Sequence, residues 1–374
     1  MNEAVIVGYV RSPFHFANKG ALAKMRPDDL AAAVVKGLIA KTGVKAEDIE
    51  DLLLGCAFPE GEQGLNVARL ISFIAGVPQS AGAATINRFC GSSMQAIHSA
   101  AGAIAMGAGD VFVCAGLESM SRVPMMGFNP MPNPQLAERM PGAYISMGIT
   151  AENLAKKYGI PRAAQEEFAV ASHAKASQAR EAGNFKDEIV ALPITGEDGC
   201  IRPNTNREAL AGLKPAFDQT GAVTAGTSSP LTDGAAACLV VSADYARKHN
   251  LPVLAKIKSI AIAGCAPDIM GIGPVVATRK ALDRAGLSIN DIDIIEMNEA
   301  FAVQAMACLR DLNIDMSRVN IDGGALALGH PLGATGARIT GKAAALLKRE
   351  KKKYALATQC IGGGQGIATI LEAV

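Results

Sequence analysis

Tryptophan is absent from the 374 residues, and aromatic residues make up only 4% of the chain. Hydrophobic residues nevertheless reach 49%, and this apolar share excludes a largely disordered protein. A core with so few rings has to be built from Ala, Val, Ile, Leu and Met. Together with 39 glycines, which allow backbones to approach closely, this composition is typical of layered α/β folds.

An excess of charge of either sign is also missing, since 36 Lys and Arg balance 35 Asp and Glu to a net charge of +1. Such a chain has no overall field that attracts nucleic acid or an anionic membrane surface. We therefore expect neither as a partner. Any anionic ligand has to be bound by a few local groups.

The eight cysteines form no Cys-x-x-Cys pair and no Cys/His pattern with zinc spacing, so no metal is expected. The first residues lack the basic region and cleavage site of a signal peptide. The longest uncharged run, 89–109, is too polar to span a bilayer. These absences favour reduced thiols and a cytoplasmic location.

Apolar periodicity predicts alternating strands and helices on both sides of a different middle segment. The predicted strands lie at 4–9, 49–56, 84–88, 111–115, 235–241, 253–263, 292–297, 354–360 and 367–371, and the predicted helices at 27–42, 66–75, 92–106, 242–249, 274–285, 300–312 and 336–349. The middle segment is rich in Met and Pro between 120 and 147. We interpret 119–231 as an inserted lid-like domain, which contains two helices of its own at 150–158 and 161–182.

The two flanking parts of the chain look like copies of one unit. Gly43 and Gly286 each end a predicted helix, and the same spacing then leads to the strand starts Asp48-Ile49 and Asp291-Ile292. A repeated α/β unit predicts two sheets related by a pseudo-two-fold axis. The alternative is that any two helix–glycine–strand units look alike. We predict an N-terminal half formed by 1–118 and 232–252 and a C-terminal half formed by 253–374.

Cys90 lies at a sharp junction between a predicted strand and a predicted helix. The unpaired N–H groups at a helix start favour a thiolate, and the arrangement parallels the nucleophile elbow of serine hydrolases. A free thiol is only slightly ionised at neutral pH, so an activating base is still needed. The alternative role is that of a small buried hydrophobic residue.

Three further segments carry candidate reactive groups. His330 stands in a glycine-rich turn and suits a base or an electrophilic donor, or a structural hydrogen bond. Cys360 ends a strand before Gly362, where a thiol could carry protons and open N–H groups could bind an oxyanion, although such turns also bind phosphate. Asn298 suits an oxyanion donor or a helix N-cap.

Four motifs follow one another along the chain, and their order is informative: Cys90-Gly91-Ser92-Ser93, Asn298-Glu299-Ala300-Phe301, Gly329-His330-Pro331 and Cys360-Ile361-Gly362. Together they resemble the thiolase family, and the resemblance covers essentially the whole chain. The segments 87–96 and 226–229 are more similar to the degradative branch, the 3-ketoacyl-CoA thiolases. The implied fold is a layered αβαβα core with an inserted loop domain that binds CoA.

The resemblance implies an acyltransferase that cleaves 3-ketoacyl-CoA with CoA in fatty acid β-oxidation. Cys90 would attack the 3-keto carbon, His330 would accept its proton, and Cys360 would protonate the departing acetyl-CoA carbanion. One oxyanion hole would consist of His330 and a water held by Asn298. The backbone N–H groups of Cys90 and Gly362 would form the other. Coenzyme A is a substrate, and no cofactor is implied.

The same resemblance assigns substrate contacts. Arg202 would contact the nucleotide end of CoA and Ser229 its pantetheine arm, and Met147, Met270 and Phe301 would line the acyl pocket. The methionines could equally be core packing. Ser146 stands where short-chain biosynthetic thiolases carry His, which weakens an acetoacetyl-CoA-specific interpretation.

Other functions remain in competition with the degradative one. The biosynthetic direction joins two acetyl-CoA, whereas a lipid or sterol carrier on the same fold would need no intact Cys90, His330 and Cys360. Condensing synthases are disfavoured because Cys360 replaces their second His. The resemblance also implies a homodimer or tetramer, with a β-oxidation hydratase/dehydrogenase subunit as a further partner of some members.

Overall fold

The computed structural model describes residues 2–374, which form a mixed α/β architecture. In chain order the strands are β1 Ala4–Arg11, β2 His15–Phe16, β3 Asp51–Cys56, β4 Gly82–Ile86, β5 Val111–Ser119, β6 Thr232–Ser242, β7 Ala255–Gly264, β8 Ile294–Met297, β9 Tyr354–Ile361 and β10 Gln365–Glu372. The helices are α1 Pro27–Thr42, α2 Val67–Ala75, α3 Ser92–Ala105, α4 Pro134–Arg139, α5 Met147–Tyr158, α6 Arg162–Glu181, α7 Arg207–Ala211, α8 Ala243–Lys248, α9 Gly273–Ala285, α10 Ala302–Leu312, α11 Ala325–Leu328 and α12 Thr335–Glu350.

The two flanking parts have the same strand order. The first half runs β4-β3-β5-β6-β1 and the second runs β8-β9-β10-β7. Val319 adds a parallel bridge beside Ile295 of β8, in the place that β4 takes beside β3. The parallel and antiparallel ladders also correspond pair by pair. This correspondence supports the predicted repeat and argues against a chance likeness of two units.

The predicted pair of sheets is in addition joined edge to edge by one short ladder. Val5 and Ile6 of β1 pair with Lys256 and Ala255 of β7, and this short ladder makes one continuous sheet. The polar backbone at the edge strand of each half is thereby partly satisfied by the other half. No sequence pattern at β1 or β7 distinguishes such an edge from an exposed one.

The layers follow from the faces that each strand buries. Helices α1 and α2 cover the outer face of the first half, and α9 and α10 cover the outer face of the second. Between the halves, α3 and α12 pack side by side against strands of both. The layered αβαβα core expected from the sequence is confirmed.

The local sequence explains most helix ends. Helix α1 begins with Pro27, whose fixed φ suits the first helical position, and ends before Gly43 at φ +66°. Strands β5 and β6 are longer than predicted, because buried polar residues such as Glu118 and Asp233 extend them. The chain leaves the sheet after Ser119 and returns at Thr232. The division into an inserted domain and two halves, with its boundaries, stays a prediction.

Candidate active site

Cys90 lies in a tight turn between β4 and α3. Phe89 adopts a left-handed φ of +43°, which a bulky residue tolerates only where its surroundings enforce it. The backbone N–H of Gly91 donates to Arg88 O at 2.9 Å, and α3 begins at Ser92. A Cβ on Gly91 would lie 2.5 Å from Ile361 Cδ1. The turn therefore sets the Cys90 thiol against the N-terminus of α3 and the end of β9.

The surroundings of the Cys90 thiol hold it in the neutral form at rest. Burial raises its pKa to about 12, although backbone N–H groups of Gly362 and of Cys90 itself favour the thiolate. The carboxylate of Glu118 adds to the rise. A helix start alone therefore does not ionise this thiol, and a nearby base has to take its proton.

His330 is buried, and each of its ring nitrogens has one partner. Nδ1 lies 2.6 Å from Thr335 Oγ1, whose own hydrogen is donated to Pro331 O at 3.0 Å. The Thr335 oxygen must then accept a hydrogen bond from Nδ1–H, which places the ring proton on Nδ1. Nε2 is left with its lone pair, towards which Asn298 Nδ2 donates at 3.3 Å. Burial and the charge of Arg338 lower the His330 pKa to about 3, so the imidazole rests neutral and able to accept a proton.

Asn298 follows β8 directly and points its amide into the site. Its backbone N–H donates to Thr358 O at 3.0 Å, which fixes it to β9. Helix α10 starts only at Ala302 and has Phe301 at its N-cap, so Asn298 is not the helix cap. Among residues 2–374 no protein group pairs with Asn298 Oδ1, which is buried. The amide is therefore held beside His330 with one polar atom unused.

Cys360 and Gly362 belong to the hairpin between β9 and β10. Gly363 and Gly364 take φ values of +79° and +83°, which make the turn tight enough to face Gly362 toward Cys90. Burial and the neighbouring Cys90 raise the pKa of the Cys360 thiol. The structure thus brings two neutral thiols and the Gly362 N–H group together.

The three predicted acyl-pocket residues converge around Cys360. Met147, Met270 and Phe301 share one apolar cluster with it. Met147 starts α5, where Ser146 Oγ accepts from the Ile149 N–H. A Cβ on Gly362 would lie 3.5 Å from Met147 Sδ. These side chains pack as core residues around Cys360, and their role as the lining of an acyl pocket stays a prediction.

Arg202 and Ser229, the two predicted CoA contacts, have partners of their own. Arg202 is exposed, with its guanidinium 5.7 Å from the Phe16 ring centre and its backbone N–H donating to His173 Nδ1. Ser229 is half-buried, and its N–H donates to Ala300 O at 2.9 Å, beside the Asn298 segment. Ser229 is therefore tied to the segment that carries Asn298, whereas Arg202 packs against Phe16 and His173.

Sequence reasoning missed three residues that hold the reactive groups. Thr335 binds His330, and Gln359 Nε2 donates to Cys90 O. Glu118 accepts N–H bonds from Ala57 and Gly333, at 2.8 and 2.9 Å, and so ties the turn after His330 to β3. Thr335, five residues after His330 at a helix start, carried a local signal. Gln359 and Glu118 carried none, because their partners are distant in sequence.

Two further findings concern metal binding and membrane crossing. Within residues 2–374, no group of three or more His, Cys, Asp or Glu side chains is arranged to bind a metal ion. None of the helices in this part of the chain has the length and apolar character needed to cross a membrane.

Comparison with known proteins decides the family. Residues 4–244 match the thiolase N-terminal domain, and residues 251–373 match the thiolase C-terminal domain. This chain belongs to the thiolase family. As a thiolase it is an acyltransferase enzyme, which confirms the family and the enzyme class expected from its four motifs.

Named relatives and solved structures are similar to this thiolase over its full length. The 3-ketoacyl-CoA thiolases of Bacillus subtilis and Colwellia psychrerythraea are 46% and 47% identical, with all of both chains covered. The human mitochondrial 3-ketoacyl-CoA thiolase, solved also in complex with CoA, is 37% identical with a TM-score of 0.93, covering all of this chain and 99% of that one. The acetyl-CoA acetyltransferase of Bacillus anthracis is 38% identical, also at 0.93, with the same coverage.

Proposed function

We propose that this thiolase cleaves 3-ketoacyl-CoA with CoA, giving acetyl-CoA and a shortened acyl-CoA. The arrangement of His330 carries the proposal, since its Nε2 lone pair is the basic atom that a buried neutral thiol requires. Relatives named 3-ketoacyl-CoA thiolase, identical at nearly half of their positions over the full length, supply the substrate class.

The first half of the cycle forms an acyl-enzyme. The proton of the Cys90 thiol passes to His330 Nε2, and the sulfur attacks the 3-keto carbon. Collapse of the tetrahedral species breaks the C2–C3 bond and leaves the acyl group on Cys90. The carbanion of acetyl-CoA takes the proton of the Cys360 thiol and departs.

The second half returns both protons. The Cys360 thiolate removes the thiol proton of CoA, whose sulfur attacks the acyl-Cys90 thioester. The shortened acyl-CoA leaves, and His330 gives its proton back to the Cys90 sulfur. Each proton therefore ends where it began, as a ping-pong cycle requires.

Two sets of donors face the oxygens on which charge develops. His330 and the Asn298 amide, through a water held by Asn298, would stabilise one oxyanion, and the N–H groups of Cys90 and Gly362 the other. The N–H contacts at the Cys90 sulfur support the second set. Losing one oxyanion donor typically costs about 3 kcal/mol of transition-state stabilisation.

Binding of CoA is proposed on the inserted segment, and the acyl pocket where this segment meets the C-terminal half. Arg202 would contact the nucleotide end of CoA, and the exposure of this residue supports the assignment. Ser229 would contact the pantetheine arm. Met147, Met270 and Phe301 would line the acyl pocket beside Cys360. No cofactor or metal takes part in these steps.

The biosynthetic direction is a second candidate, because an acetyl-CoA acetyltransferase is as similar in structure as the 3-ketoacyl-CoA thiolase. Ser146 next to Met147 favours the degradative direction and a role in β-oxidation. Relative rates with acetoacetyl-CoA and with long-chain 3-ketoacyl-CoA separate the two. Cleavage of acetoacetyl-CoA alone would contradict the degradative assignment.

We also propose a cytoplasmic homodimer or tetramer. The edge strand β4 and the exposed apolar side chains of Leu70, Phe73 and Ile74 on α2 support self-association. Sedimentation at micromolar concentration measures it, and a monomer would contradict it. A complex with a β-oxidation hydratase/dehydrogenase subunit stays a prediction.

Mass spectrometry of the enzyme mixed with 3-ketoacyl-CoA in the absence of free CoA tests the mechanism. We expect one acyl adduct on Cys90, shorter than the substrate acyl chain by two carbons, and release of acetyl-CoA. Cys90→Ala provides the matched control without the nucleophile. An adduct on another cysteine would overturn the assignment, and so would the absence of any adduct on an enzyme that turns over fully once CoA is supplied. Either result would favour a carrier or a different nucleophile.

A further inference from the structure

His330 is held from two directions by two elements, α12 and β8, that are distant from each other in sequence. Thr335, the first residue of α12, accepts a hydrogen bond from Nδ1–H, and Asn298, just after β8, donates one toward Nε2. The orientation of the ring, and the distance of Nε2 from the Asn298 amide, therefore depend on how α12 lies against β8.

One buried ion pair joins these two elements beside the site. Arg338 Nη1 donates to Glu296 Oε2 at 3.0 Å, and the side chains of both residues are 1% exposed. Glu296 stands on β8 two residues before Asn298. Arg338 stands on α12 three residues after Thr335, one helical turn along. The pair thus spans the gap between the two partners of His330.

Burying the Glu296–Arg338 pair in this space costs folding free energy. Within residues 2–374, Arg338 Nε and Nη2 and Glu296 Oε1 have no protein partner, although all three atoms are buried. Burying charges with unmet hydrogen bonds costs free energy, and replacing such a pair by apolar side chains is often neutral or stabilising. Stability alone therefore gives no reason for the pair.

We propose that Arg338 and Glu296 are positioning residues for His330: their ion pair fixes α12 against β8 and so aligns Thr335 and Asn298 on the two ring nitrogens. The proposal rests on the proposed function, in which His330 takes the proton of Cys90. A shift of about 1 Å in such a group costs on the order of 100-fold in rate.

The charged groups that surround Glu296 and Arg338 are consistent with a positioning role for His330. Burial raises the Glu296 pKa to about 7, while Arg338 and Lys342 of α12 oppose the rise and Asp322 and Glu188 add to it. Tyr9 of β1 also faces Arg338. Arg338 in turn lowers the pKa of His330. Burial and, to a smaller extent, the charge of Arg338 therefore keep the His330 ring neutral at rest.

The test compares a double variant, Glu296→Met with Arg338→Met, against the intact enzyme. Methionine keeps the volume and removes the tether, so we expect an unchanged or higher Tm. We expect kcat to fall about 10- to 100-fold with KM unchanged. The rate of Cys90 alkylation by iodoacetamide, which needs His330 but no acyl-CoA, should fall as well.

Two further variants separate positioning from folding. Glu296→Gln keeps an acceptor for Arg338 and should retain kcat within about threefold, as rescue by a conservative change requires. Lys342 also stands on α12, and Lys342→Met removes its ion pairs to Glu188 and Asp322 but leaves the Glu296–Arg338 pair, so it should lower Tm and leave kcat unchanged. If the double variant fails to fold, Arg338→Lys is the substitute test. Lysine keeps the charge but lacks the planar guanidinium with its fixed donors, so this variant should show the kcat loss instead.

Unchanged kcat and alkylation rate in the folded double variant would overturn the proposal, as would a kcat loss in Lys342→Met of the same size. Failure of the proposed function looks different. In that case the intact enzyme does not cleave 3-ketoacyl-CoA, whereas the alkylation rates still report whether the pair positions His330.

Discussion

The hydroxyl oxygen of Thr335 lies 2.6 Å from Nδ1 of His330 and accepts a hydrogen bond from Nδ1–H, because the hydroxyl hydrogen is already donated to Pro331 O. One threonine thereby selects the tautomer in which Nε2 is the basic nitrogen. A neutral imidazole carries one N–H proton, so fixing it on Nδ1 makes Nε2 the nitrogen that can accept another.

Thr335→Val should lower kcat about 10- to 100-fold, because the ring loses the acceptor that fixes its tautomer and angle. KM should change little, since Thr335 is not placed against substrate. Thr335→Ser keeps the hydroxyl and is the matched control. Steady-state kinetics of the three proteins decide the matter, and equal kcat values for Val and the original Thr would contradict the tautomer argument.

Cys90→Ser should abolish thiolysis without unfolding the protein, since a hydroxyl is a far weaker acid than a thiol and His330 cannot ionise it. Circular dichroism and Tm should match the original enzyme. Cys114→Ala, which changes a buried thiol in the core near α3, should lower Tm but keep kcat. Thiolysis by the serine variant at the original rate would exclude Cys90 as nucleophile.

Gly336→Ala should destabilise the protein by about 3 kcal/mol, because a Cβ there would stand 2.3 Å from the backbone N of Met94. Helices α3 and α12 would have to move apart. Gly102→Ala on the exposed side of α3 meets no atom within 4 Å and should stabilise by about 0.5–1 kcal/mol. Urea denaturation measures both, and equal effects would contradict the close approach of the helices.

Stability should fall as the pH drops from about 6.5 towards 3. Burial lowers the pKa of His98 and of His330 to about 3, below the ordinary value of 6.5. The unfolded chain therefore protonates first, and each such histidine costs up to ~1.4 kcal/mol per pH unit in that window.

His98→Gln isolates one of these contributions. The amide can still bond Thr369 Oγ1, which lies 2.8 Å from His98 Nε2, yet it does not titrate. The dependence of unfolding free energy on pH should become shallower between pH 6 and 4, with little change at pH 8. An unaltered slope would show that His98 binds a proton equally in both states.

Much of the fold could be predicted because its signals are local. Pro27 and Gly43 mark both ends of α1, and the predicted and observed bounds agree. The end of β5 could not be predicted, because Glu118 looks like a surface residue until Gln63 Nε2 and the N–H groups of Ala57 and Gly333 surround it. Bounds set by distant partners have no local signal.

The residues of the candidate site also divide into those with a local sequence signal and those without one. Cys90, His330, Asn298 and Cys360 stand out because each lies at or beside the end of a predicted strand or in a glycine-rich turn, within a motif of unusual residue types. Gln359 lies next to Cys360 in an ordinary strand, and only the folded chain brings its amide to Cys90 O. Arg338 looks like any helix arginine until β8 packs over it.

The central helical layer bears on how such a chain could have arisen. Helix α3 belongs to one half and α12 to the other, yet strands of both halves bury their inner faces on the two together. A gene fragment encoding one half alone would leave that inner face exposed to water. A single-copy ancestor of the repeat would therefore have needed a second identical chain to fold, and gene fusion would have turned that obligatory pairing into an intramolecular one.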